Sequence, residues 1–104
     1  MVIIMFKITA VKKTEYKDLM GKYELPQELP CNLNVGDTFY TDGVEKPLGL
    51  CNSAWDTIKP FIDSIINNKP LFANWMKDET KTIVSCNDGF RPVTFLIEKL
   101  YVSL

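Results

Sequence analysis

The chain has 104 residues, 46% hydrophobic and 24% charged, with 12 Lys and Arg against 13 Asp and Glu and a net charge of −1. That is material for one domain, 1–104, with enough apolar content to fold, and no charge excess to draw it to nucleic acid or an anionic membrane surface. There is no histidine, which excludes Ser-His-Asp and Cys-His nucleophile activation within the chain, along with histidine-containing zinc and non-haem iron sites.

Met1 to Phe6 is an apolar run ended by Lys7. It lacks a basic leader and a small-residue cleavage site, and it is too short to span a bilayer. It reads as the start of a buried strand, and the expected location is the cytoplasm. The strand covers 2–12, with Phe6, Ile8 and Ala10 alternating against Lys7 and Thr9, and its apolar start suits a central position. Lys12-Lys13 reads as a solvated strand end. Thr14 offers a helix cap, and Tyr16, Leu19, Met20 and Tyr23 recur at helical spacing, so a short helix is expected over about 15–23. Residues 24–34 read as an extended loop that delivers Cys31. Val35 to Tyr40 reads as a tight turn at Gly36-Asp37 that feeds a second strand.

The main helix is expected over about 52–67, capped by Ser53 with Asp56 three positions on. Its apolar stripe is Trp55, Ile58, Ile62, Ile65 and Ile66, with Phe61 beside it. Pro60 removes a helical hydrogen bond, so a kink there, or two short helices, is expected. Leu71 to Trp75 is an aromatic connector. Thr82 to Cys86 is a third strand, Asn87-Asp88-Gly89 a hairpin turn with a left-handed glycine, and Pro92 to Tyr101 a fourth strand. In that strand Val93, Phe95 and Ile97 lie on one face, and Leu96 and Leu100 on the other. The fold class is therefore α+β: a curved antiparallel sheet of about four to five strands packed by one main helix. Strand order and barrel-like closure stay open.

Three motifs stand out: Cys31 with Gly36-Asp37-Thr38-Phe39; Cys51-Asn-Ser-Ala-Trp55-Asp56-Thr-Ile58-Lys-Pro60; and Cys86-Asn87-Asp88-Gly89-Phe90-Arg91-Pro92-Val93. In these the chain resembles an uncharacterised family of short prokaryotic proteins with a three-cysteine signature. Its pattern is C-P…GD-x-F, then C-x-x-A-W-x-x-I-x-P, then C-x-D-G-x-R-P-V. One departure is visible: Asn32 follows Cys31, and the proline, Pro30, precedes it. The resemblance implies a shared fold and carries no established activity.

Three cysteines with no C-x-x-C pair do not make a disulfide framework, and they suit a reducing compartment. Each lies at an element boundary, where sites tend to be presented. Cys51 precedes a helix N-terminus, which favours an anion. If Cys31, Cys51 and Cys86 converge, their thiolates could hold zinc or an iron–sulfur cluster. Their spacings of 20 and 35 positions make no local chelate, and free cysteine commonly packs as a small hydrophobe. Arg91, presented by an Asp88-Gly89 turn, could fork onto a carboxylate or phosphate, or could pair internally with Asp37 or Asp56. Trp55 belongs to the core stripe, whereas Trp75, with Phe72 and Met76, could line a pocket or a partner surface. Glu45, Glu98, Asp78 and Glu79 read as surface charges.

The leading expectation is a non-catalytic binding or accessory domain, a homo-oligomer or bound to another protein, with Cys51, Trp55, Cys86, Asp88 and Arg91 as candidate ligand-binding residues. A thiol- or metal-centred redox protein using Cys31, Cys51 and Cys86 is the alternative. A third reading is an enzyme with Cys51 as nucleophile and a carboxylate base.

Overall fold

The computed structural model describes residues 1–26, 31–69 and 75–104. Phe72, with the rest of 70–74, and residues 27–30 of the expected loop lie outside the described residues. The elements are β1 (Val2–Lys13), α1 (Lys17–Tyr23), β2 (Thr38–Thr41), α2 (Asn52–Ile66), β3 (Lys81–Ser85) and β4 (Val93–Ser103). The strands form one antiparallel sheet in the order β2-β1-β4-β3. The sheet is open, so the barrel-like alternative does not apply, and the α+β class holds. As its apolar start suggests, β1 is an inner strand. Among the described residues no helix is long and apolar enough to cross a membrane.

The core lies between one face of the sheet and α2. Strand alternation puts Phe6, Ile8, Ala10, Val84, Val93, Phe95 and Ile97 on that face. The helical period brings Ala54, Ile58, Ile62 and Ile65 against them. The expected stripe is thus largely buried, although Ile66 is half exposed and Trp55 packs at the margin. Residues 52–66 are one helix, with Pro60 on its exposed side, rather than two short ones.

Several local expectations are corrected. The cap of α2 is Cys51, not Ser53: the chain is extended at Cys51, and its Sγ accepts from the N–H of Ala54. Helix α1 starts at Lys17, and its cap residue, Tyr16, makes no side-chain capping bond, so Thr14 is not the cap. The β3–β4 connection spans 86–92, longer than the tight turn expected, and Gly89 is not left-handed. Gly36 does adopt the expected positive φ, at 100°.

The register of β1 against β4 shifts between Ala10 and Lys12, a β-bulge that leaves Val11 as the extra residue. Beyond it Lys13 pairs with Val93, a core residue, and so turns inward. Lys13 is not a solvated end. Its Nζ donates to the carbonyl oxygens of Cys31 (3.0 Å) and Leu33 (2.7 Å), drawing that loop over the core so that Leu33 is buried.

Candidate functional site

The motif loops do meet, at the end of the sheet where β1 finishes and β4 begins. Cys31 is tied there through its carbonyl by Lys13. Cys86 is fixed at the exit of β3: its N–H donates to the oxygen of Val93 (3.0 Å), and its Sγ accepts from the N–H of Val93 (3.2 Å). The start of α2 joins the same end through a hydrogen bond between the Ser53 hydroxyl and the Asn87 side-chain oxygen. Cys51 is exposed, while Cys31 and Cys86 are half-buried and pack on the core. All three thiols are free. Among the described residues, no three cysteine, aspartate or glutamate side chains are grouped as a metal ion would require. The set Cys31, Cys51 and Cys86 shares an end of the molecule without forming a chelate.

Asp88 and Arg91 organise the 86–92 loop. The Asp88 carboxylate accepts from the N–H groups of Phe90 (2.8 Å) and Arg91 (3.0 Å), an Asx-type turn. The guanidinium of Arg91 forks onto Glu24, at 2.6 and 2.7 Å, with 15% and 10% of the two side chains exposed. The partner is therefore neither Asp37 nor Asp56. These hydrogen bonds, and secondarily the charges of Glu24, Asp88 and Glu15, hold Arg91 above its ordinary value, so it stays a permanent cation. The N–H groups of Thr14 and Tyr16 donate to Pro92 and Phe90 at 3.0 and 2.9 Å. The segment that leads into and out of α1 is thus stapled to this loop. The fork that could have read a foreign anion is filled by the chain's own carboxylate, and Trp55 packs on the core.

What motif reading missed lies on the other face of the sheet. Opposite the core, alternation places Ile3, Met5, Lys7 and Thr9 of β1, Leu96, Glu98, Leu100 and Val102 of β4, Tyr40 of β2, and Lys81 and Ile83 of β3. Ile3 faces Val102, Met5 faces Leu100, and Ile83 faces Leu96. Glu98, flanked by Lys7 across the strand pair and by Lys81 at 3.7 Å, supplies the charge in the middle. Helix α2 packs on the reverse side, and α1 is tied to the end loop. Among the described residues, no helix lies across this face. The alternation of Leu96 and Leu100 was the signal that could have found it.

Two clefts flank the sheet. One, of about 290 Å³, lies between the end of α2 and β4, lined by Ile65, Asn68, Glu79, Thr80, Lys99 and Tyr101. The other, of about 400 Å³, opens where β2 stops beside β1, lined by residues that include Met5, Thr41, Asp42, Glu45 and Pro47. Asp42 is held below the usual carboxylate value, first by the N–H of Val44 and then by that of Glu45. Asp78 is lowered by the hydroxyl and then the N–H of Thr80. Both carboxylates are occupied as turn acceptors.

These features define a small open-faced α+β domain: four antiparallel strands, one helix on one side and a reverse face of mixed apolar and charged residues. Compared with family models, curated proteins and solved structures, the chain matches none.

Proposed function

We propose that this chain is a small non-catalytic binding domain that works in the cytoplasm, a homo-oligomer whose copies leave the open face of the sheet free as the contact surface for a protein partner. One observation carries the reading: the cross-strand apolar pairs Ile3–Val102, Met5–Leu100 and Ile83–Leu96 stand on a face that no described helix covers. Antiparallel sheets usually turn a polar face to water, whereas here two apolar clusters flank the charged row Lys7–Glu98–Lys81, a mix of apolar and charged groups that suits an interaction surface. By contrast, the side chains of Cys51, Cys86, Asp88 and Arg91 in the motif loops are already engaged, by Ala54, Val93, Phe90 and Arg91, and Glu24. Membership of the three-cysteine family belongs to the same proposal, with the motif residues serving as the framework of the loop end. Three free thiols favour a reducing compartment.

The test is the binding of anilinonaphthalene sulfonate, a probe of exposed apolar surface, to the folded protein. Wild type should enhance its fluorescence under native conditions. Leu100→Lys combined with Ile83→Lys should abolish the enhancement while changing stability by no more than about 1 kcal/mol, as surface substitutions do. A folded wild-type protein that leaves the dye dark would remove the reading.

A further inference from the structure

The two inner strands outrun their neighbours. β2 pairs with β1 only at Phe6–Thr9, whereas β4 follows β1 back to Val2. On the far side, β3 leaves β4 at the Lys81–Glu98 pair, with one more bond from the Lys99 N–H to the oxygen of Thr80. Among the described residues, what remains is a two-stranded arm, Val2–Met5 against Leu100–Ser103, projecting beyond the four-stranded sheet. Its inward face carries Val2 (60% exposed), Ile4 (41%) and Tyr101 (64%), and its outer face Ile3, Met5, Leu100 and Val102. A ribbon of two strands is marginal by itself, and a bare apolar edge is a template for another strand.

The hydrogen-bonding groups of the β1 edge can be assigned. Ala10 donates to Asp37 and accepts from Gly36, so its N–H and C=O point toward the β2 side. Antiparallel alternation then turns Ile8, Phe6, Ile4 and Val2 the same way. The oxygen of Met1, out of phase with these, accepts from Leu104 on the β4 side. Ile8 and Phe6 face β2. Val2 and Ile4 present their N–H and C=O groups outward, beside the cleft of about 400 Å³ lined by Met5, Tyr40 and Thr41.

We infer that this edge is the homodimer seam: Val2–Ile4 pairs antiparallel with the same segment of a second copy, in line with β2, to give one continuous eight-stranded sheet. The inference rests on the reading of the chain as an oligomeric binding domain and names the surface that joins the copies. Three observations select a second copy as the occupant. First, the edge is self-complementary. A two-fold axis at Ile3 sets Val2 opposite Ile4 of the other copy and Ile4 opposite its Val2, each pair exchanging both N–H···O bonds, while the two Ile3 side chains meet at the closer, non-hydrogen-bonded position. Second, no charged side chain occurs from Met1 to Phe6, so an apolar edge meets an apolar strand of the same composition. The rival edge, on β4, is guarded by Lys99, whose ammonium lies 5.3 Å from the Tyr101 ring, and a lysine on an edge disfavours strand addition. Third, Ile3 and Met5 flank the edge on one face and Val2 and Ile4 on the other, with Val2 60% and Ile4 41% exposed, so pairing with a second copy takes apolar surface out of water.

The experiment is sedimentation equilibrium on the full chain, with variants that delete one outward N–H. Proline at position 4 removes a donor that the β1–β4 ladder does not use, and edge strands tolerate it. Wild type should be a dimer, Ile4→Pro should weaken dimerisation roughly a hundredfold, about two tenfold steps in Kd, and Tyr101→Pro, which deletes an outward N–H on the other edge, should dimerise as wild type does. Should Ile4→Pro lose cooperative unfolding, Ile4→Lys replaces it with the same expectation. Hydrogen exchange at the Ile4 amide should slow as concentration rises, and that at Tyr101 should not. A wild type monomeric up to about 100 μM, a weak limit on the affinity scale, would overturn the proposal. So would dimerisation by Ile4→Pro and Ile4→Lys equal to wild type, or a dimer broken by Leu100→Lys and not by these two. Dye binding by the open face of the monomeric variant is a separate readout, so the seam and the open face can fail independently.

Discussion

At Gly43 the chain leaves β2 and passes beneath α2 with φ at 94°, and a β-carbon there would stand 2.9 Å from Ile62 Cγ2 and 3.0 Å from Ile66 Cδ1. Gly43→Ala therefore combines a left-handed backbone cost with overpacking of buried atoms, and should lose about 2–4 kcal/mol of unfolding free energy. Gly36 has φ at 100° but open space around its missing side chain, so Gly36→Ala should lose only about 1–2 kcal/mol. Urea denaturation of both variants checks the difference, and equal losses would show that the helix above Gly43 gives way. The sequence marks Gly36 as a turn glycine because an Asp follows it. Gly43 also sits in a turn-like Asp-Gly pair, but what makes it indispensable is a helix that starts nine positions later. The same limit hid the partner of Arg91. Turn chemistry around Asp88 was legible, whereas Glu24 lies 67 positions away, and no local pattern pairs the two. Lys13 was misread for a subtler reason: one extra residue at Val11 reverses which of two adjacent lysines points inward.

Among the elements, α2 was the most legible, because a 3.6-residue period of isoleucines admits one interpretation. Its interior proline was expected to kink it or divide it into two short helices, and 52–66 is one helix rather than two. Burial of Ile58 and Ile62 on either side of Pro60 offsets the lost hydrogen bond. That cost remains in the folded state, and Pro60 is exposed, so alanine there would crowd nothing. Pro60→Ala should raise stability by about 1–3 kcal/mol, read from the shift in the denaturation midpoint at unchanged slope. A neutral or negative effect would mean that the proline ring contributes packing that its exposure does not suggest. The cap of the same helix escaped sequence reading because a thiol is a weak acceptor and Ser53 has the better side chain for the role. Backbone extension at Cys51, set by the loop that buries Leu50, decides the matter. Strand alternation likewise predicted the inward faces of β1 and β4 correctly, and the outward leucines with them. It could not say whether anything lay over the outward side.

For the molecule as a whole, strand order was the quantity the sequence withheld, since pairing of Val2 with Ser103 follows from no neighbouring residues. The centre of the sheet is its first and last strands, and the short strands β2 and β3 are added outside. Closing that loop brings together residues about as far apart in the chain as any, so contact order is high for a small domain. Folding should take milliseconds to seconds rather than microseconds. Stopped-flow fluorescence of Trp55 and Trp75 measures it, and a sub-millisecond relaxation would indicate that α2 and the β3–β4 hairpin settle the fold before β1 joins. The same arrangement bears on how the protein is made. A ribosome releases β1 early, but the strand that matches its full length emerges after the other described elements, on the order of ten seconds later at ordinary elongation rates. Through that interval the apolar stretch Val2–Met5 has no partner strand among the elements already made, so a nascent polypeptide stalled before residue 93 should depend on holdase chaperones to stay dispersed, and synthesis of residues 93–103 should end that dependence at once.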